Sequence, residues 1–210
     1  MIIFSTAYLP PVEYFARVIN ENKIFIEVFE TYPKQTYRNR CKILQANGLL
    51  TLSIPVNKPF GNKTQTKDIK ISYDEEWQIK HWRAIESAYN KSPFFLYYRD
   101  EFYFFYKTKI ESLTDWNYSL FEFILKKIGV NELEIMFTDS YFRSDNYKYD
   151  YRESIHPKKP INTILFPRYY QVFEDKYGFM PNLSIIDLLF NLGPQSKDYL
   201  IGVKKNLRIL

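Results

Sequence analysis

Glycine, cysteine and histidine are scarce in this chain, which holds six, one and two of them among 210 residues. With so few glycines and no Gly-rich run after a strand, neither a Walker-type phosphate loop nor a dinucleotide-binding turn can be found in it. The lone Cys41 excludes an intrachain disulfide and any cysteine-built metal site, which fits a reducing, cytoplasmic setting. HExxH, CxxC and metal-spaced acid clusters are all missing, so no metal is expected and no cofactor is specified. No apolar run approaches the roughly 20 residues that span a bilayer. The opening Met1-Ile2-Ile3-Phe4-Ser5 also lacks the basic region of a secretion signal. The expected location is the cytoplasm, with peripheral contact at the inner membrane left open to the basic and aromatic side chains.

A local absence is more informative. Between Glu30 and Asp68 the chain carries no carboxylate, while Lys34, Arg38, Arg40, Lys42, Lys58, Lys63 and Lys67 all fall there. Such a run cannot neutralise itself locally, so it either solvates or binds an anion. Were Lys34 to Lys42 extended, Lys34, Thr36, Arg38, Arg40 and Lys42 would share one face. Guanidinium forks on that face suit phosphate or carboxylate groups, each of which can accept two parallel hydrogen bonds. Thr36, Tyr37 and Asn39 add neutral donors and a stacking surface. A solvated basic edge is the simpler alternative.

Aromatic residues are abundant at 19%, with 19 Tyr, 18 Phe and 3 Trp. Aromatic faces can line sugar-binding clefts, although an aromatic core is the commoner use of them. A net charge of +5 favours anionic partners. It is too small to establish nucleic-acid binding, which ranks last among the readings because no recognition motif supports it.

Hydrophobic periodicity points to an α/β fold in a single domain spanning 1–210, with a mixed sheet, a βαβ-like opening and a helical central and C-terminal region. Ile2 to Phe4 reads as a buried strand, Val12 to Asn20 as a helix and Ile24 to Phe29 as a strand. Leu49–Val56, Ile69–Ser72 and Glu134–Thr138 are further strand candidates, and 57–67 is a polar loop. Helices are expected from a cap at Asp74, over Phe94–Lys107, and from Thr114 or Asp115 to a stop at Gly129. A long Tyr-rich loop occupies about 140–160. Ser184 to Asn191 is apolar on nearly every side, so that helix should be buried.

His81 and His156 are the available histidines. His81 lies on the inward stripe of Trp77, Ala84, Ile85 and Ala88, where it is either a core residue or a general base. His156 sits in the long loop and would need that loop to close over a pocket. Asp187, the one charge in an apolar helical stretch, has capping-box spacing from Ser184 and is otherwise a substrate contact. Cys41 beside Arg38, Arg40 and Lys42 could be a nucleophile, but no partner histidine or elbow accompanies it.

Five segments in order carry a family resemblance: Tyr8-Leu9-Pro10-Pro11-Val12-Glu13-Tyr14-Phe15, Lys34 to Arg40, Leu52-Ser53-Ile54-Pro55-Val56, Trp77 to Ile85 with Ala88-Tyr89 and Pro93-Phe94, and Leu183 to Asn191. Together they resemble the WbqC-like family of bacterial surface-polysaccharide clusters over most of the chain. Two features depart from the family pattern. Ser5-Thr6-Ala7 stands where many members have Gln-Pro, and Val28-Phe29, flanked by Glu27 and Glu30, stands where many have paired aspartates. The resemblance implies a role in O-antigen assembly, with glycine or other aminoacyl transfer to an amino sugar as the expected chemistry. The substrate would be a phosphate-bearing sugar or an activated amino acid. His81 or His156 would take a proton and Asn39 would orient the acceptor. Lys34, Arg38 and Arg40 would hold phosphate, Tyr37 or Trp82 would pack on the sugar, and Asp187 would be a further contact. A non-catalytic glycan or nucleotide-sugar binder is the alternative.

Overall fold

The N-terminal alternation folds as a βαβ unit. β1 (Ile2–Ser5), α1 (Val12–Val18) and β2 (Lys23–Glu27) follow in order, and β1 pairs in parallel with β2, Ile3 opposite Phe25 and Ser5 opposite Glu27. The computed structural model describes residues 2–143, 147–159 and 165–207. Next come the antiparallel hairpin β3 (Arg40–Gln45) and β4 (Gly48–Ser53), and the short pair β5 (Val56–Asn57) and β6 (Lys70–Ile71). The helices α2 (Trp77–Tyr89), α3 (Phe95–Lys107) and α4 (Leu113–Lys127) make the centre. They are followed by β7 (Glu134–Phe137), β8 (Tyr149–Asp150), α5 (Glu174–Tyr177), α6 (Ile185–Leu192) and α7 (Ser196–Leu207).

The main sheet has the order β7-β2-β1-β8 and is parallel throughout, while antiparallel pairing is confined to the two small ribbons. Parallel strands are buried on both faces, which is why β1 and β2 read as continuous apolar runs rather than alternations. β8 lies inside the Tyr-rich stretch at about 140–160, where the sequence predicts a loop; it is two residues long, too short for any periodicity to reveal. Residues 144–146 and 160 of that stretch fall outside the described residues.

Residues 57–67 are held against the segment after β2. Tyr32 N–H donates to the Thr64 carbonyl, Thr66 N–H to Glu30 and Lys67 N–H to Val28, at 2.8–3.0 Å. Asp74 does not cap α2: its carboxylate accepts from the Ser72 hydroxyl at 2.7 Å, and Glu76 occupies the cap position without a side-chain bond. Ser112 caps α4 instead, accepting from Asp115 N–H at 3.2 Å. Gly129 (φ +75°) ends that helix as its position suggests.

The aromatic surplus is mostly core. Phe190 on α6 is fully buried, and Tyr89, Phe95 and Phe102 from α2 and α3 meet its ring edge-on at 5.1–5.3 Å. Each such pair contributes about 0.5–1.5 kcal/mol beyond the area it buries. The close fit continues past the helix, where Gly193 takes φ +54° and an added Cβ would meet the Phe94 ring at 2.5 Å.

Candidate functional site

In a parallel sheet the strand order locates the crevice. The chain builds outward from β1 to β2 and β7, then returns to place β8 on the other side of β1. The order therefore reverses between β1 and β8. Ligands in open α/β sheets bind beyond the C-terminal strand ends at such a reversal, because the connections leave in opposite directions and open a gap.

That edge holds a buried ionic network. Ser5, the last residue of β1, donates its hydroxyl to the Arg152 carbonyl at 3.2 Å and accepts from Arg38 Nη2 at 2.5 Å. Arg38 is 2% exposed, donates through Nε to Glu30 Oε1 at 2.7 Å, and holds its Nη2 2.7 Å from the same oxygen as an ion pair. Arg152, just beyond β8, donates to Glu27 at 3.0 Å and grips Asp150 at 2.6 Å. Glu27 ends β2 and is fully buried; its other oxygen accepts from Phe29 N–H at 2.7 Å and the Thr138 hydroxyl at 3.0 Å. Glu153 reaches Arg38 at 3.8 Å from the open side. Asn117 on α4 holds the Arg38 carbonyl at 2.8 Å and the Thr6 hydroxyl at 3.2 Å. Burial raises the proton affinity of the Glu30 carboxyl. Arg38 opposes that rise, and the charges of Glu27 and Glu153 add to it. Two arginines thus face four carboxylates, and one of those carboxylates is biased towards holding a proton at the crevice.

The basic run does not form one extended face. Gln35 takes φ +61°, the chain turns through 34–39, and strand geometry begins only at Arg40. Arg38 consequently points inward and is neutralised by Glu30, eight residues earlier. Lys34, Arg40 and Lys58 remain on the outer rim near Tyr32. Lys58 lies 4.9 Å over the Tyr32 ring, and its charged form is disfavoured first by burial and then by Lys34. Lys42 donates to the Pro157 carbonyl at 3.2 Å, which brings the loop bearing His156 to the same side. His156 accepts from Lys158 N–H at 3.1 Å. Burial lowers its pKa first; Glu153 opposes that, while Lys158, Arg38 and Lys159 add to it.

The remaining sequence candidates lie elsewhere. His81 is 5% exposed, its Nδ1 is 3.0 Å from the Tyr8 hydroxyl, and that hydroxyl is 2.8 Å from the Tyr106 hydroxyl. Burial lowers its pKa to about 4, so the imidazole is neutral and sealed against Trp77. Asn39 donates to the Ile54 carbonyl at 2.8 Å and ties β3 to the end of β4. Tyr37 accepts the Tyr8 N–H through its carbonyl, and its phenol is pushed up to about 12 by burial, with Glu13 and Cys41 adding. Trp82 packs on Tyr103 at 4.9 Å and lines a cleft of about 710 Å³ between α2 and α3. Asp187 does not cap α6. Its carboxylate is buried and accepts from the Tyr169 hydroxyl at 2.6 Å and Gln171 at 2.8 Å, while Ser184 gives its hydroxyl to the Leu9 carbonyl. Cys41 is 1% exposed and burial pushes its thiol up, which removes the nucleophile reading.

The α2–α3 cleft and a second of about 720 Å³ near Ile2, Lys23 and Tyr149 are roomy, yet neither is lined by the ionic network. Chemistry outweighs size here, because buried charge is costly and is kept where it has a use. Sequence reading gave no role to Tyr32, Arg152 or Glu153, named Lys58 only as part of the basic run, and noted Ser5, Glu27 and Glu30 only as departures from the family pattern. Glu27 and Glu30 did leave a trace, flanking the position where the family pattern has paired aspartates. Among the described residues, no group of three or more His, Cys, Asp or Glu is arranged to hold a metal ion, and no helix is long and apolar enough to cross a membrane.

A family model described as the WbqC-like protein family matches residues 6–152. The chain is also 23% identical over 227 residues to Rv1507c, an uncharacterized protein of Mycobacterium tuberculosis, with 94% of this chain and 96% of that relative covered. No solved structure matches the chain.

Proposed function

The chain belongs to the WbqC-like protein family, and from that premise we propose a transferase of bacterial surface-polysaccharide synthesis, acting on a phosphate-bearing sugar at the β1–β8 crevice. Aminoacyl transfer to an amino sugar is the reaction the family resemblance favours, in the cytoplasm or at the inner face of the membrane. The observation that carries the reading is Glu30. It is 8% exposed, one of its oxygens is clamped by Arg38, and its proton affinity is raised just beyond the C-terminal end of β2. A carboxylate so held can accept the proton of an attacking amine or hydroxyl and release it later. Arg38 positions it, and Ser5 with Asn117 positions Arg38. His81, sealed in the core, has no part in this reading.

The test is turnover across nucleotide-sugars and activated amino acids, followed by mass spectrometry. Glu30→Gln keeps a carbonyl acceptor for Arg38, replaces the second oxygen by an amide NH2, and removes the charge and the basicity. It should lower kcat by about 10²–10⁴-fold and abolish the acid limb of the pH–rate profile while the thermal melt persists. Undiminished turnover in a folded Glu30→Gln protein removes the assignment. One observation favours the non-catalytic binder: Arg38 and Arg152 are already paired with Glu30, Glu27 and Asp150. Binding with no turnover across the panel would select it.

A further inference from the structure

Two polar groups beside the crevice are buried with nothing to bond. The Tyr32 hydroxyl has no hydrogen-bond partner although Tyr32 is only 5% exposed, and Arg40 Nε is equally orphaned. Leaving such a group unpaired is destabilising unless a ligand satisfies it. The fields of both Arg38 and Arg40 reach the Tyr32 phenol, opposing the rise that burial imposes on it. Lys58 covers the ring of the same tyrosine at 4.9 Å, and Lys34 is near enough to disfavour the Lys58 charge. Among the described residues, Lys34, Arg40 and Lys58 form no ion pair with any carboxylate. Three unopposed cations and an unspent hydroxyl therefore gather at the rim, held by the Tyr32–Thr64 backbone bond and the Thr31–Gln65 bridge.

We propose that Tyr32, Lys34, Arg40 and Lys58 form a phosphate-binding site on the rim of the crevice, taking the phosphate or diphosphate of an activated substrate. The charge and the donor set select this class of ligand. A carboxylate brings one charge and two oxygens, whereas a phosphate monoester brings up to two charges and three oxygens, which better matches a set of several cationic and hydroxyl donors. Arg38 is excluded because Glu30 already uses its fork. The ligand's role as substrate rests on the transferase reading, but its binding does not. A soluble nucleotide-sugar and a lipid-linked sugar phosphate share this chemistry.

Titration calorimetry with inorganic pyrophosphate and with UDP, beside flotation with phosphatidylcholine vesicles carrying a polyprenyl phosphate, tests the site and separates the two sources. Wild-type protein should bind at least one of these probes. Arg40→Gln should weaken that binding roughly ten- to hundredfold. Tyr32→Phe, which removes one oxygen and leaves the packing, should weaken it several-fold. Lys126→Gln, in the last turn of α4, should bind like wild type. The proposal is overturned if wild type binds none of the probes, or if folded Arg40→Gln and Tyr32→Phe bind as tightly as wild type. Phosphate bound at this site with no turnover on any substrate would leave the site standing and remove the transferase. Turnover that needs Glu30 but has the same KM in Arg40→Gln would do the reverse.

Discussion

Replacing Asp187 by Asn gives the most quantitative check on where the buried charges lie. Its carboxyl projects from α6 and is sealed against Tyr169 and Gln171; burial raises its pKa from 3.8 to about 6, and those two donors oppose the rise without cancelling it. In the unfolded chain the same group titrates near its ordinary value, so the folded state binds the extra proton between the two. The stabilisation is therefore complete below about pH 3.8 and is lost as pH rises through about 6. A displacement of about two pH units, at about 1.36 kcal/mol each, amounts to roughly 3 kcal/mol. His81 works in the opposite sense over the same window. Its folded pKa is depressed to about 4, so its contribution is present above about 6.5 and is lost as pH falls. The wild-type curve alone mixes the two and would mislead. The informative quantity is the stability gap between wild type and Asp187→Asn, measured by urea unfolding from pH 3.5 to 7. Asn adds an offset that does not vary with pH, because its amide does not titrate in this range. Against that offset, wild type should lose roughly 3 kcal/mol relative to the variant as pH rises. A gap that stays level, or widens in wild type's favour, would show that the carboxylate is hydrated and that its burial has been misread.

Two further outcomes follow from the same buried groups. The His81 imidazole should remain neutral from pH 5.5 to 8 in a two-dimensional ¹⁵N NMR titration; protonation near 6.5 would mean that the ring meets solvent. Arg38→Met strands the Glu30 carboxylate and should cost about 3–5 kcal/mol in denaturant unfolding, whereas the double change Arg38→Met/Glu30→Leu should recover much of it. A single variant as stable as wild type would mean that the pair is not buried.

Local pattern in the chain was enough for the elements whose cause is local. Val12, Phe15, Ala16 and Ile19 mark α1, the apolar runs mark β1 and β2, and the all-round apolar stretch after Ser184 marks a buried helix. The five ordered segments marked the family in the same way. The acid-free run was equally legible, since charge composition needs no coordinates.

What the run does was decided elsewhere. Whether a guanidinium is free depends on which carboxylate the fold brings to it. Glu30 reaches Arg38 only because the chain turns at Gln35, and Glu27 meets Arg152 across 125 residues through the pairing of β1 with β8. Periodicity reports a neighbourhood of a turn or two, so a contact at that separation leaves no mark on it. Burial is decided in the same way. His81 and Asp187 have ordinary local contexts, and only the packing of α2 against Tyr8 and of α6 against Tyr169 removes them from water and sets their charge.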